Sequence, residues 1–375
     1  SRVADERIAL EAGVLGQETT GAGGFSMALR TIPVLLDYAR TLERIAPGAW
    51  LINFTNPAGL ITQALLNETA LRAVGICDTP TAMRRSIARY LGQQPEDVFL
   101  DYIGLNHLGW IRDVVVDGVS RQRELIEGYE HLRAVGHEWS LFDAELVRAL
   151  GLLPNEYLYY YYYREQALRH IRESGSTRGM QVEAINRPLW SGLGEAYRDG
   201  DVDRALVLYA DAMLRRSSTY MARESGQPVA EGAGAEADAR LAVFEDEGYA
   251  GLAMDVMEAV VRDRKATLVL NVRNDGCIDE LDDGDVVETV CLVDARGVRP
   301  LAQPRLPEAI TGLVTTVKTY ERFAVRAAVC GDREAGLLAL AAHPLVGSWS
   351  LARTLLDAYL REHREHLPQF RHAGG

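Results

Sequence analysis

Two short stretches carry residue types that bind metal ions: Gly75-Ile76-Cys77-Asp78-Thr79-Pro80 and Gly104-Leu105-Asn106-His107-Leu108-Gly109-Trp110. A thiolate and an imidazole together suit a divalent cation, and two protein ligands leave coordination positions open for substrate oxygens. Taken singly, a cysteine is more often a small buried hydrophobe and a histidine a satisfied structural one. What raises the pair is position, since each follows a stretch that reads as a β-strand. Three further clusters could do chemistry. Gly16–Gly24 (GQETTGAGG) leads into a helix whose first amides could attract an anionic or polar ligand, although an ordinary loop explains it as well and it is not a GxGxxG fingerprint. Asn53-Phe54-Thr55-Asn56-Pro57 offers two amides to sugar hydroxyls or phosphate oxygens, or else a helix cap from Thr55 or Asn56. Leu153-Pro154-Asn155-Glu156-Tyr157 runs on into Tyr159–Tyr163. A phenol acts as a general base where a cation lowers its pKa, and most of these rings are expected to be core packing.

The elements that must hold these clusters alternate. Phe25–Ile45 has apolar residues at helical spacing and Ala49–Phe54 reads as a short buried strand. Leu60–Leu66 is then helical, Leu71–Ile76 a strand, Thr79–Leu91 a helix and Val98–Gly104 a strand. Such alternation argues for an α/β fold with a parallel sheet, in which ligands sit beyond the carboxyl ends of strands. Asn53 to Asn56, Cys77 with Asp78, and Asn106 with His107 all fall at such ends. The texture then changes. Val114–Val119 carries Asp117-Gly118 as a hairpin signal, and long helical stretches follow through Arg223. A domain change is expected near Leu100, dividing the chain into residues 1–100 and 101–375. Gly226–Ala239 is small and polar, as in an exposed linker. Strands are expected at Ala266–Val272 and Val286–Val293, a helix at Leu252–Val261 between the linker and the first of them, and mostly helix over Arg333–His366.

Composition narrows the classes. With 53 acidic against 40 basic residues and a net charge of −13, the chain repels nucleic acid and anionic membranes, though a local basic pocket for a phosphate is compatible with it. Four widely spaced cysteines argue against a disulfide framework and for a reducing, cytoplasmic setting. No apolar run reaches the length of a membrane span.

Taken in order, GQETTG, NFTNP, GICDTP, GLNHLGW and LPNEYLYYYY, continued by TRGMQVEAIN, NVRNDG and VVETVCLV, resemble the motif succession of glycoside hydrolase family 4, nearest the 6-phospho-β-glucosidases. The resemblance implies a Rossmann-like NAD-binding half, here partial and represented by residues 1–100, followed by an α+β catalytic domain like that of lactate and malate dehydrogenases. It implies NAD and a divalent metal, usually Mn²⁺, held by Cys77 and His107. It also implies a mechanism outside the paired-carboxylate scheme: hydride leaves sugar carbon 3, the ketone acidifies the proton on carbon 2, a tyrosine removes that proton, the aglycone departs and water adds.

By motif position the base is Tyr157, with Tyr160 and Tyr161 as neighbours. Asp78 would protonate the departing oxygen. Gln17, Glu18, Thr19 and Asn53 would contact the cofactor; Arg2, Asn56, Asn106 and Arg178 would hold the substrate, Arg2 and Asn56 at its phosphate. The anomer is marked two ways, because Asp78 resembles α-specific members and the leucine in GLNHLGW β-specific ones; the β reading is preferred over an α-glucosidase or α-galactosidase. The substrate would be a small glycoside, phosphorylated at carbon 6, and the protein a homodimer or homotetramer.

The resemblance further implies a chain that starts where the second half of the dinucleotide fold would begin. Weak NAD binding, exposed apolar helix faces and an unpaired sheet edge are then expected, and tight NAD binding by calorimetry would count against this. Two other readings stay open: a 2-hydroxy-acid dehydrogenase, which would not need Cys77 and His107 at one metal, and an inactive remnant.

Overall fold

The structure is a computed structural model that describes residues 2–226 and 248–371. Apart from Gly226, the stretch expected as a linker lies outside these residues. Helix α1 (Arg2–Glu11) packs through Ile8 and Ala9 against α2 (Gly21–Ile45). In α2 the buried residues Phe25, Ala28, Leu29, Ile32, Leu36 and Ala39 recur every three or four positions, giving one apolar stripe toward the core. The opposite face leaves Val34, Tyr38 and Ile45 exposed. Strand β1 (Trp50–Asn53), helix α3 (Ala58–Glu68), strand β2 (Arg72–Gly75) and helix α4 (Thr79–Leu91) follow, with β1 and β2 parallel from Trp50↔Arg72 to Asn53↔Gly75. Within the described residues β1 forms the outer edge of its sheet.

Strand β3 (Val98–Leu105) corrects the expectation of one continuing parallel sheet. It pairs antiparallel with β4 (Leu108–Val116) in a separate sheet, completed by β5 (Val119–Ser120) and β6 (Leu153–Pro154). The cause is local. Leu105 faces Leu108 across a two-residue turn, and Gly104 lies at φ 143 so close to the returning strand that a Cβ would sit 2.3 Å from the Leu108 carbonyl oxygen. Asp117 and Gly118, at φ 52 and 75, make the expected turn into β5.

Helices α5 (Arg178–Asp199) and α6 (Val202–Ser218) form an antiparallel pair, and α7 (Gly248–Arg262) leads into β7 (Ala266–Arg273), β8 (Val286–Asp294) and β9 (Gly297–Pro300). These strands extend the first sheet to the order β1-β2-β7-β8-β9, antiparallel beyond β2, with the single bridge Gly75↔Asn271 joining β2 to β7. That sheet therefore draws strands from both sides of Leu100. The sheets are locked together where the Tyr102 hydroxyl on β3 donates to Glu288 Oε2 (3.1 Å) and Thr289 Oγ1 on β8 donates to the Tyr102 carbonyl (3.1 Å).

Helices α8 (Glu308–Cys330), α9 (Arg333–Ala342) and α10 (Trp349–Glu362) close the molecule. Lys318 of α8, fully buried, pairs with Glu321 and donates to Gln63 Oε1 (2.9 Å) and the Val286 carbonyl (2.6 Å), tying α8 to α3 and β8. No helix among the described residues is long and apolar enough to cross a membrane.

Candidate active site

Cys77 sits two residues beyond the end of β2 and two before α4, at a strand's carboxyl end as expected. His107 does not. It is the second residue of the β3–β4 turn, held at φ 60, a left-handed conformation that costs a non-glycine residue about 1–2 kcal/mol. Strain of this kind at a polar residue marks a position held for a purpose. The turn aims the imidazole at Cys77, with Sγ and Nε2 3.5 Å apart and both side chains buried. Metal–sulfur and metal–nitrogen bonds of about 2.3 and 2.1 Å, opened to a tetrahedral angle, would separate two ligands of one cation by about 3.6 Å. The pair therefore has the spacing of a metal's ligands. Among the described residues no third His, Cys, Asp or Glu completes a group that could hold a metal ion.

The hydrogen bonds around His107 fix its tautomer. Gln17 Oε1 accepts from the Thr19 amide (2.5 Å), the Thr20 amide (3.0 Å) and the Thr19 hydroxyl (2.7 Å). Two backbone donors on that atom require it to be the amide oxygen, and the one proton of the Thr19 hydroxyl is thereby committed. Thr19 Oγ1, 2.7 Å from His107 Nδ1, can then only accept, so Nδ1 carries the proton and the Nε2 lone pair faces Cys77 Sγ. This is the arrangement of a metal-ligating histidine oriented from behind by a hydrogen-bonding partner. Burial holds the imidazole neutral, its pKa pushed down to about 3. Burial first, then the charges of Glu288 and Asp78, push the Cys77 thiol up, an effect a bound cation would reverse.

Tyr157 stacks on His107, with ring centroids 3.6 Å apart and planes within 5°. It lies in a helical turn, Glu156–Leu158, whose start is capped by the Asn155 side chain accepting from the Tyr157 amide (3.0 Å). Its ring meets the edge of Tyr220, with centroids 6.3 Å apart and planes at 66°, and Glu156 and Thr79 line the same cleft as Tyr157. Burial raises the Tyr157 phenol well above its ordinary value and Glu156 to about 8, with Glu138 and Asp78 adding to the latter. Of the other tyrosines, Tyr160 donates to Met221 Sδ (3.2 Å), Tyr161 bonds to Thr20 Oγ1 (2.5 Å), and Tyr159 stacks on Tyr163. That is largely the packing expected of the run.

Tyr157 opens onto a cleft of about 450 Å³. Of the residues expected at the site, Arg2, Gln17, Glu18, Asn56, Asp78, Tyr157 and Arg178 line it. Arg178 donates only to neutral groups, Gln181 Oε1 (2.9 Å), Thr219 Oγ1 (2.7 Å) and the Arg216 carbonyl (2.7 Å), and no carboxylate among the described residues forms an ion pair with it. Arg2 is held by Glu6 and Glu18. Asp78 and Tyr249 share the cleft wall.

Three expected residues sit elsewhere. Thr19 is buried behind His107. Asn53 is buried in its own turn, donating to Thr62 Oγ1 (3.2 Å) and accepting from the Thr55 amide (3.0 Å), and neither Thr55 nor Asn56 caps α3, whose N-cap position Pro57 holds. Asn106 donates to Glu288 Oε1 (2.9 Å). The glycine cluster also works differently from the expectation of open amides. Gly21 to Gly24 are buried, the Gly21 amide donates to His343 Nε2 (3.1 Å), and a Cβ on Gly23 would lie 2.2 Å from the Gln17 carbonyl. These glycines let the loop bearing Gln17 and Thr19 lie on the helix start.

Sequence reasoning missed Glu288, Tyr220, Tyr249 and any role for Glu156. Glu288 is buried, accepts from Asn106, Asn271 and Tyr102, and is raised to about 7 by burial. A glutamate inside the apolar run VVETVCLV was its one available signal.

Known proteins resemble this chain over nearly its whole length. Residues 1–93 match the description "Family 4 glycosyl hydrolase" and residues 102–346 "Family 4 glycosyl hydrolase C-terminal domain". A probable 6-phospho-β-glucosidase of Bacillus subtilis is 33% identical over 378 residues, covering 99% of this chain and 77% of the relative. The solved structure of the 6-phospho-β-glucosidase of Thermotoga maritima with manganese, NAD⁺ and glucose-6-phosphate aligns with a TM-score of 0.76 at 28% identity, covering 97% of this chain and 78% of that one. A 6-phospho-α-glucosidase from gut microorganisms, with NAD and glucose-6-phosphate, aligns at 0.75 and 27%, covering 98% and 78%. From its first described helix to its last sheet strand, this chain belongs to family 4 of the glycosyl hydrolases.

Proposed function

We propose that this protein hydrolyses 6-phosphoglucosides, β-linked in preference to α-linked, with NAD and a divalent cation such as Mn²⁺. The observation that carries the reading is the unprotonated Nε2 of His107 facing Cys77 Sγ at ligand spacing, beside a phenol open to a cleft. The cation supplies Lewis acidity toward a sugar hydroxyl and the carbonyl made from it, and NAD accepts and returns the hydride.

The chain's own residues do the rest. Cys77 and His107 hold the cation, Gln17 and Glu18 are placed to meet the cofactor, and Thr19 fixes the His107 ring. Tyr157 takes the proton from sugar carbon 2, and Asp78 protonates the departing oxygen. Arg178 and Arg2, with Asn56, take the phosphate, Arg178 being the better placed because no carboxylate among the described residues forms an ion pair with it, whereas Glu6 and Glu18 pair with Arg2. Asn53 shapes the turn that presents Asn56, and Asn106 joins the site to Glu288. The β preference rests on Leu108 following His107, and on the 33% identical relative being a β-enzyme by name. A homodimer or homotetramer belongs to the same reading. It is supported by Trp190 and Tyr197 standing exposed along α5, and a monomer by light scattering would remove it.

The test is turnover of nitrophenyl 6-phospho-β- and 6-phospho-α-glucosides, and of their unphosphorylated counterparts, with and without NAD and Mn²⁺. Turnover of the phosphorylated β-substrate, lost on chelation, is expected. Faster turnover of the α-substrate would reverse the anomeric assignment, and turnover indifferent to chelation would remove the metal from the mechanism.

A further inference from the structure

We infer that Glu288 is a positioning residue: one of its carboxylate oxygens anchors the turn that carries His107, and the other, through Tyr102 and Asn155, anchors the turn that carries Tyr157. The inference rests on the assignment of Tyr157 as the base. It starts from a carboxyl group that packing alone does not explain. Glu288 is fully buried on β8, and its partners among the described residues, Tyr102, Asn106 and Asn271, are all neutral. A buried carboxylate without a cationic partner costs stability, so its presence in an apolar strand calls for a use other than holding the core together.

The hydrogen bonds form one directed chain. The backbone amide of Tyr157 can only donate, and it does so to Asn155 Oδ1 (3.0 Å), which turns the Asn155 side-chain nitrogen toward Tyr102. Asn155 Nδ2 donates to the Tyr102 hydroxyl oxygen (2.9 Å), so the single proton of that hydroxyl goes on to Glu288 Oε2 (3.1 Å). On the other side, Glu288 Oε1 accepts from Asn106 Nδ2 (2.9 Å) and Asn271 Nδ2 (2.8 Å). All three groups that reach the carboxyl donate. A carboxylate accepts from every one of them, whereas a glutamine turns a donor of its own against at least one. Tyr102 and Asn155 are fully buried as well, which holds the chain to one geometry. Asn106 precedes His107 in the β3–β4 turn, and Tyr157 stacks on His107 with ring centroids 3.6 Å apart. These turns come from separate stretches of chain. Glu288 belongs to neither and holds both, so it sets the register in which the two rings meet.

Two measurements test this, one independent of turnover. In Glu288→Gln the glutamine oxygen keeps the bonds from Asn106 and Asn271, and its nitrogen faces Tyr102, whose proton loses its acceptor. Amide hydrogen exchange of the whole chain without cofactors should then be about 5-fold faster or more over residues 155–158, where the Tyr157 amide depends on Asn155. The second measurement is turnover of a nitrophenyl 6-phosphoglucoside with NAD and Mn²⁺. Glu288→Gln should lower kcat by about 10²-fold, the cost of a misplacement near 1 Å, and leave KM little changed, because the residues assigned to the phosphate lie outside the chain of bonds. The same variant is expected to be at least as stable as the parent at pH 8, so a merely structural role would leave kcat intact. Tyr102→Phe cuts the same arm and should match it in both measurements, and the double variant should lose nothing further. Glu288→Asp keeps two accepting oxygens on a shorter stem and should recover part of the rate. Folded Glu288→Gln or Tyr102→Phe with the parent's exchange over residues 155–158, or with the parent's kcat, overturns the inference. A parent enzyme that turns over no 6-phosphoglucoside removes the proposed function instead, and the exchange measurement then still decides whether Glu288 holds the Tyr157 turn.

Discussion

Replacing Thr19 with valine isolates the claim that one hydroxyl sets the protonation of the ring proposed to hold the metal. In the parent, Thr19 Oγ1 accepts from His107 Nδ1 because its own proton is committed to Gln17. Valine keeps the branched shape and removes the acceptor. Without metal, the ring escapes the loss by moving its proton to Nε2 and donating to Cys77 Sγ, 3.5 Å away. Cation binding must reverse that move, stranding Nδ1–H in a buried site with no acceptor. An unsatisfied buried donor costs about 1–3 kcal/mol, so Mn²⁺ should bind roughly 5- to 150-fold more weakly. Losses of 10- to 100-fold from removing such partners at other metal sites bracket the same range. Titration calorimetry with Mn²⁺ on both proteins, matched by circular dichroism, reads this directly. Gln17→Ala should weaken binding less, since the freed Thr19 hydroxyl can rotate to donate or accept. An unchanged Mn²⁺ affinity in folded Thr19→Val would refute the tautomer argument, and with it the strongest structural reason for placing a cation there.

Cys77→Ser should lose bound Mn²⁺ on metal analysis, while unchanged content would favour the 2-hydroxy-acid dehydrogenase reading. Arg178→Met should raise KM for a phosphorylated substrate by about 10- to 150-fold, the worth of a charge-assisted hydrogen bond of 1.5–3 kcal/mol, and leave unphosphorylated glucosides unaffected; equal effects on both would place the arginine outside the phosphate site. Glu288, raised from 4.5 to about 7 by burial, binds a proton in the folded chain that the unfolded chain has already released, so its contribution to stability falls as pH rises from about 4.5 to 7. Glu288→Gln imitates the protonated form. Under chelation it should therefore raise the free energy of unfolding at pH 8 by on the order of 3 kcal/mol, and change it little at pH 4; the opposite ordering would mean the carboxylate is stabilised where it lies. Lys318→Met strands Glu321 and should cost about 3–5 kcal/mol in denaturant unfolding, most of it recovered by adding Glu321→Gln.

Much of this was legible in the sequence because the residues that do chemistry stand next to the residues that make turns. Cys77 is readable as a strand-end residue from LRAVGI before it and the helical spacing after it, and both elements form where expected. The β3–β4 hairpin was open to the same treatment, since two apolar runs flank Asn106-His107 with a glycine on either side. An apolar run of eight residues, however, does not declare which sheet it joins, and the preceding alternation of helix and strand pointed to the wrong one. Function survived the error, because a strand end and a hairpin turn both project a side chain past a sheet edge.

The residues that stayed hidden share a different property. Glu288 reaches Asn106 across 182 positions of sequence, and Tyr220 meets the ring of Tyr157 from more than sixty positions away. Neither carries a local pattern that marks it, and each acquires its character from partners supplied by another part of the fold. A buried carboxyl becomes poised near neutrality only after the core has closed around it, so its chemistry belongs to the packing and not to any window of residues. The first ring of ligands in such a site is therefore open to sequence reading. The groups that set its protonation are not, and those groups decide whether a thiol, an imidazole and a phenol brought together can act as an enzyme or merely fill a core.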